Sequence, residues 1–340
     1  MLLEYSFPQQ RKTKIMLTNF NNDVLELKDR DTFIVCDRNV LNKWPKISKI
    51  CKNNTSYIFN ASESNKNFKI VLEIISLLNQ LNFTRNSTII AIGGGITTDI
   101  AAFIASIFKR GIKLVLVPTT YIAMIDAAIG GKTGINYKGL KNNIGTFYPA
   151  DRIVIDCGFL NTLPQEEILN GWSEAIKAFL LNNQLSFEKS EINPELIEYL
   201  IQIKMSFCLK DLEDKDKRKY LNLGHTFAHM VESLSDYEIS HGEAVAYGLR
   251  VAIHISYNLG LITKARKNNM FNLVDTFNLP DKIPGKIYKR IKKYGQKIVL
   301  NDKKADNGVK YILFEGNTDF VLSSIDNFEV ILDAFKKITR

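Results

Sequence analysis

"TIIAIGGGITTDIAAFIASIFKRG", residues 88–111, runs from a β-branched apolar stretch through three glycines into a helical pattern. Thr88–Ile92 predicts a buried strand, and the apolar spacing that follows predicts a helix opening at Thr98-Asp99. Between them Gly93, Gly94 and Gly95 leave the backbone open to close approach. A strand, a glycine turn and a helix N-terminus together offer free N–H groups to an anion such as a pyrophosphate. The spacing is not GxGxxG, so taken alone it describes a plain tight turn equally well.

Outward from this unit the same alternation repeats. "TFIVCD" (32–37), "TSYIFN" (55–60), "IKLVLV" (112–117) and "RIVID" (152–156) read as buried strands, with a helical segment at 65–81. Strands alternating with helices predict a parallel-sheet α/β domain of the dinucleotide-binding, Rossmann-like type. Past residue 162 strand signals nearly vanish, and segments 165–182, 193–210, 224–234 and 242–260 all carry helical spacing. Asn193-Pro194-Glu195 is a helix start by chemistry: a cap, a proline at the first position, then an acid. A strand-like piece follows at 309–314. The expected organisation is an α/β domain over 1–161 and a mostly α-helical domain over 162–340, with an active site in the cleft between them.

Composition narrows the function classes. At 340 residues the chain exceeds what one core usually spans. A net charge of +9 invites a nucleic-acid reading, but the basic residues are dispersed with no stripe interleaved with aromatics. An anionic small substrate accounts for the excess equally well. The four cysteines show no CxxC pairing, and no run of eighteen apolar residues or leader-like segment occurs. These features predict a cytoplasmic protein with neither nucleic-acid nor membrane partners.

Three of the four histidines fall within "LNLGHTFAHMVESLSDYEISHGEAVAYG", 221–248. His225 and His229 are four apart with Glu232 continuing their face, opposite Phe227, Met230 and Val231, while His241 opens the next helix. Two histidines from different helices and a carboxylate from a third would make a catalytic zinc site with an open position. Spacing alone does not say which histidine is a ligand. Glu174 and Lys177 share a helix face. Lys204 continues the apolar stripe of Leu196, Ile197, Leu200 and Ile201, so it either snorkels or points into a polar pocket. "LVPTTYIAMIDAAIGGKTGIN" adds Thr119, Thr120, Asp126 and Lys132, and Lys141-Asn142 follow nine residues on. With Arg110, these lysines are expected to gather at one edge of the sheet, where clustered cations bind phosphate or carboxylate.

The motifs "GGGITTD", "RGIKLVLVPTT", "DAAIGGKTGIN", "KNNIGTFYP", "GWSEAIK", "RKYLNLGHTFAHMVE" and "HGEAVAYG" together resemble 3-dehydroquinate synthase and the wider sugar-phosphate cyclases, over roughly residues 60–250. The resemblance implies NAD, and a divalent metal (Zn2+ or Co2+) held by Glu174, His225 and His241. It places cofactor contacts on Asp37, Glu63, Lys66, Gly94, Gly95, Asp99, Thr119, Thr120, Lys132, Lys141 and Thr162. Substrate or catalytic positions fall on Asp126, Lys132, Asn142, Lys177, Lys204, Arg218, Asn222 and His229, with Lys303 or Lys304 joining them. Arg110 resembles a residue that reaches into the neighbouring subunit's site, which implies a homodimer. The implied reaction converts 3-deoxy-D-arabino-heptulosonate 7-phosphate to 3-dehydroquinate and phosphate. Departures from the family pattern include Thr98 and Tyr121, where glycine and leucine are usual, and Asp216-Lys217 before Arg218. A cyclase acting on another sugar phosphate is the runner-up, and a metal-dependent NAD polyol dehydrogenase follows it. His254, within an apolar helix, is expected to be structural.

Overall fold

The computed structural model describes residues 11–20, 25, 27, 31–187, 191–236, 238–303 and 310–340, the side chains of 299–303 excepted. The chain divides into two compact units, Met1–Leu163 and Pro164–Arg340, each with its own core.

The first unit is built on six parallel strands, β1 (Lys14–Leu17), β2 (Thr32–Asp37), β3 (Ser56–Phe59), β4 (Thr88–Gly93), β5 (Lys113–Pro118) and β8 (Arg152–Ile155). Their spatial order is β1-β8-β5-β4-β2-β3. The interior strands carry almost unbroken apolar runs: Phe33–Cys36, Ile89–Ile92 and Leu114–Val117 are buried. Both faces of a parallel sheet are covered, so such runs are what it requires. Helices α1 (Arg38–Lys43), α2 (Pro45–Asn53), α3 (Phe68–Gln80) and α4 (Gly95–Ile107) complete the layers. The chain moves outward from β2 to β3, then returns to β4 and builds the other way. The switch point therefore lies between β2 and β4, where open α/β sheets form a crevice at the carboxyl ends of their strands.

Two expectations are corrected. Helix α4 opens at Gly95, not at Thr98-Asp99, because the Gly94 carbonyl already accepts the Thr98 N–H at 3.1 Å. Arg110 does not share an edge with the other cations. It lies on the turn that leads into β5, where parallel strands begin, whereas Lys132 and Lys141 belong to the excursion leaving the far end of β5. That excursion also holds two features without an alternating or helical signature: a π-helical turn at Ala123–Ala127 and a hairpin of β6 (Ile135–Tyr137) and β7 (Leu140–Ile144).

The second unit contains α5 (Gln165–Leu181), α6 (Pro194–Cys208), α7 (His225–Leu234), α8 (His241–Asn258), α9 (Lys264–Thr276), α10 (Gly285–Lys303) and α11 (Phe328–Lys337), with a hairpin of β9 (Tyr311–Glu315) and β10 (Asp319–Ser323). Asn193 caps α6 as its chemistry requires, accepting the Leu196 N–H at 2.8 Å. Helix α8 is the hub, buried along nearly its whole length and packed on α5, α7, α9, α11 and β9. Its entry is fixed by a capping box between Ser240 and Glu243.

His254 lies inside this hub. Its ring packs 4.8 Å from that of Phe271, and its buried Nδ1 has no hydrogen-bond partner among the described residues. Burial, and then the charges of Lys267, Lys337, Lys282 and Arg250, push its pKa from 6.5 down to about 4. The folded chain therefore favours the neutral ring. That share of stability is complete above pH 6.5 and is lost as the pH falls through about 4. The slope is at most about 1.4 kcal/mol per pH unit. His254→Gln should flatten the acid limb of a stability–pH curve measured by urea unfolding; an unchanged limb would refute this assignment.

Candidate active site

Three helices of the second unit converge on one carboxylate. Glu174, in the middle of α5, is 2% exposed. His225 and His241 occupy the first positions of α7 and α8, and their Nε2 atoms lie 3.4 and 3.5 Å from Glu174 Oε1. Lys177, one turn along α5 and also buried, forms an ion pair with Glu174 Oε2. Burial alone would raise the pKa of Glu174. The charges of Lys177 and His225, with hydrogen bonds from His225 and His241, hold it well below the usual carboxylate range.

Close main-chain approach brings the helices together. Gly224, at φ +77°, lies against the backbone of Gly248 and Leu249, so α7 begins directly on α8. Gly242 lies against Asn170, which sets the start of α8 on α5. Asn170 Oδ1 also accepts the Ser240 hydroxyl at 2.8 Å. Any side chain at Gly248 or Gly242 would drive these helices apart.

The donor set suits a divalent cation. One atom each from Glu174, His225 and His241 lies within 4.8 Å of the others. His225 Nδ1 sits 3.2 Å from the Leu223 carbonyl, which can only accept, so Nδ1 is the donor there and Nε2 is the atom that would offer its lone pair to a cation in place of its proton. His241 Nδ1 faces Glu232 Oε1 at 3.4 Å in the same sense. Burial opposes charging of His241, yet hydrogen bonds to Glu174 and Glu232 raise its pKa to about 9. Two imidazoles and a carboxylate match the protein ligands of a catalytic zinc or cobalt site.

The other expected residues of this unit are placed differently. His229 is exposed one turn beyond His225, their ring centroids 5.8 Å apart. Asn222 is exposed, and Lys204 is half-buried on α6. Arg218 is fully buried and its guanidinium donates to the Leu212 carbonyl at 2.6 Å, so it braces its own loop. The side chain of Lys303 and all of Lys304 lie outside the described residues.

In the first unit, the expected cofactor residues follow the carboxyl ends of the strands. Asp37 ends β2 and caps α1, accepting the Asn39 N–H at 3.0 Å; burial raises its pKa, against N–H bonds from Asn39 and Ala61. Lys66 is buried and donates to Asp99 Oδ2 and Asn142 Oδ1, both at 2.5 Å. Glu63 joins this group through Asn136, whose amide donates to Glu63 Oε1 at 2.8 Å and whose Oδ1 accepts the Asn142 N–H at 2.9 Å. Asn136 ends the "DAAIGGKTGIN" motif, and the sequence gives it no site role of its own. Gly94 and Gly95 have ordinary backbone angles and serve close packing: a Cβ would meet Thr120 at 3.0 Å and Ala127 at 3.2 Å. Thr119 ties the two strand ends, its N–H donating to the Gly93 carbonyl at 3.0 Å, and Thr120 caps the turn that carries Asp126. Thr162 is engaged by Trp44 Nε1 at 3.1 Å and, through its carbonyl, by Lys43 at 2.6 Å. Lys132 and Lys141 are exposed on the excursion.

Comparison with known proteins meets this geometry. The 3-dehydroquinate synthase N-terminal pattern matches residues 56–170 and the C-terminal pattern residues 166–305. A 3-dehydroquinate synthase of Pelagibacter ubique is 41% identical over 271 residues, covering 73% of this chain and 72% of its own. The chain belongs to the 3-dehydroquinate synthase family. As a member it is an enzyme, a cyclase of the lyase class. Among solved structures, 2-epi-5-epi-valiolone synthase of Streptomyces hygroscopicus with NAD+ and Zn2+ bound has a TM-score of 0.84 at 23% identity and covers 99% of both chains. A 2-deoxy-scyllo-inosose synthase complexed with carbaglucose-6-phosphate, NAD+ and Co2+ has a TM-score of 0.79 at 22% identity over 96% of both chains. These two likenesses extend to the fold.

The Glu174–Lys177 pair yields a stability prediction. In metal-free protein, Lys177→Met leaves a buried carboxylate without its ammonium partner, a loss of about 3–5 kcal/mol. Denaturant unfolding should show that loss without metal and a smaller one with zinc present. Equal stability of the metal-free variant and wild type would remove the pair's assigned role.

Proposed function

We propose that the chain is a 3-dehydroquinate synthase, converting 3-deoxy-D-arabino-heptulosonate 7-phosphate to 3-dehydroquinate and phosphate with NAD and one divalent metal ion. The observation that carries the reading is the buried Glu174 carboxylate faced by the Nε2 atoms of His225 and His241, in a chain of this family. When bound, NAD+ accepts and later returns a hydride, while the ion acts as a Lewis acid toward substrate oxygens. Glu174, His225 and His241 are the residues that would hold the ion.

The remaining roles follow from what the side chains offer. The carboxyl-end turns after β2 and β4, with Asp37, Gly94 and Gly95, would receive the dinucleotide at the switch point. Lys66 and Asn136 fix Glu63, Asp99 and Asn142 as one rigid group, so those residues enter binding already ordered. Thr119 and Thr120, which follow β5, and Thr162, which closes the 3₁₀ turn after β8, would add hydroxyl groups to this binding set. In the first unit Lys132 and Lys141 would offer positive charge to anionic groups, with Asp126 as a hydrogen-bonding partner; in the second, Lys177 and Lys204 would do the same, with Asn222 and His229. Arg218 supports this set by bracing the 3₁₀ turn Lys217–Asn222 that leads to His225. A polyol dehydrogenase would have no use for so many cations.

The proposal includes a homodimer in the cytoplasm, in which Arg110 serves the neighbour's site. Among the described residues none of the four cysteines forms a disulfide, as a reducing compartment allows. Arg110 is exposed on a turn where Lys109, Arg110 and Gly111 all have positive φ (50°, 62° and 110°), a costly conformation for the two non-glycine residues. No helix among the described residues is long and apolar enough to cross a membrane.

Purified protein given the heptulosonate phosphate, zinc and catalytic NAD+ should release one phosphate per substrate consumed and form dehydroquinate without net NADH. Stoichiometric NADH from a simple polyol, with no phosphate released, would overturn the reading in favour of a dehydrogenase. For the dimer, Arg110→Ala and Lys132→Ala chains should each be weak alone and recover activity when subunits are exchanged. Absence of recovery in verified mixed dimers would count against a shared site.

A further inference from the structure

We propose that Glu232 is a positioning residue for the metal site: its carboxylate accepts the Nδ1 proton of His241 and so holds that ring with Nε2 toward Glu174. The inference rests on the reading of Glu174, His225 and His241 as the residues that hold a divalent cation.

The two imidazoles are oriented in different ways. His225 is held by the main chain, through the Leu223 carbonyl two residues before it, and its side chain is 14% exposed. Among the described residues His241 has no such main-chain anchor. It opens α8 and is 37% exposed, so packing alone does little to set its ring. Glu232, on the neighbouring helix α7, has a side chain only 4% exposed and lies 3.4 Å from His241 Nδ1. Both partners are therefore fixed to the same pair of helices, and α7 supplies one ligand (His225) while orienting the other.

A carboxylate in this position does two things. As an acceptor it forces the proton onto Nδ1, leaving Nε2 as the donor atom; as an anion it makes the ring a better electron donor to a cation. A carboxylate outside a metal-bound histidine typically contributes 10–100-fold to metal affinity. The 3.4 Å separation is long for a charge-assisted bond, which puts the expected effect near the lower end.

The test uses the full chain stripped of metal with a chelator. Zinc affinity is measured by competition with a chromophoric chelator, and the visible absorption of the Co2+-loaded protein reports ligand geometry. Glu232→Ala should weaken zinc binding by about tenfold and alter the cobalt spectrum. Glu232→Gln, which keeps an acceptor oxygen and the shape of the side chain, should weaken it less. Both effects should vanish in a His241→Ala background, because a residue that acts through His241 has nothing left to orient. Unfolding of the metal-free variants shows whether the fold is kept, and the isosteric Gln variant carries the test if the Ala variant does not fold. Unchanged zinc affinity in both variants, or an equal loss with and without His241, would overturn the inference while leaving the metal site standing. Wild-type protein that binds neither zinc nor cobalt would overturn the site reading and this inference together.

Discussion

An ionised carboxylate cannot sit alone in a protein interior, and Glu174 is almost wholly buried. Stripping water from such a group costs several kcal/mol unless opposite charge replaces it. The second unit is organised to supply that charge. Lys177 comes from the same helix, His225 and His241 from two others, and both imidazoles sit where a helix N-terminus adds partial positive charge. The same demand explains how one residue serves two states. Without metal, the lysine and the protonated imidazole satisfy the carboxylate; with metal, the ion takes over most of that neutralisation.

In the first unit the corresponding constraint is backbone proximity. Gly93 is pressed against Thr97, Gly94 against Thr120 and Gly95 against Ala127. The crest of the sheet is thus tightly packed before any ligand is considered, and the buried Lys66 locks Asp99 and Asn142 onto one ammonium. Both units place their polar chemistry on groups that are already restrained, so little ordering is left for binding to supply.

Much of this was legible in the sequence because it is local. Apolar runs of five or six residues mark the buried strands of a parallel sheet, and the helical spacing after residue 162 marks the second unit. The histidine pair with its distant partners Glu174 and His241 was recognisable from motif order. What was not legible depends on contacts far apart along the chain. Asn136 matters because it joins Glu63 to Asn142, and nothing in "GINYK" announces that. The glycines following β4 suggest room for a phosphate, whereas their immediate reason is the side chains of Thr97, Thr120 and Ala127. Arg218, which the family resemblance assigns to the substrate, also donates from one guanidinium nitrogen to its own loop, a contact that no local pattern reveals. Some overlooked signals were local after all: Ser240 and Glu243 stand at capping-box spacing and fix where His241 enters its helix.

The contact between Gly224 and Gly248 has a consequence for how the site acquires its ion. Main chain rests on main chain there, so the separation between the starts of α7 and α8 is written into the backbone and not into the metal bond. Small metal-dependent domains often fold only when loaded, and their ion is then part of the folding reaction. Here the three side chains that would hold the ion already stand within 4.8 Å of one another. Loading becomes an exchange between solution and a finished protein, governed by ligand chemistry and the free concentration of each cation, and ions of similar size can replace one another without the chain having to refold.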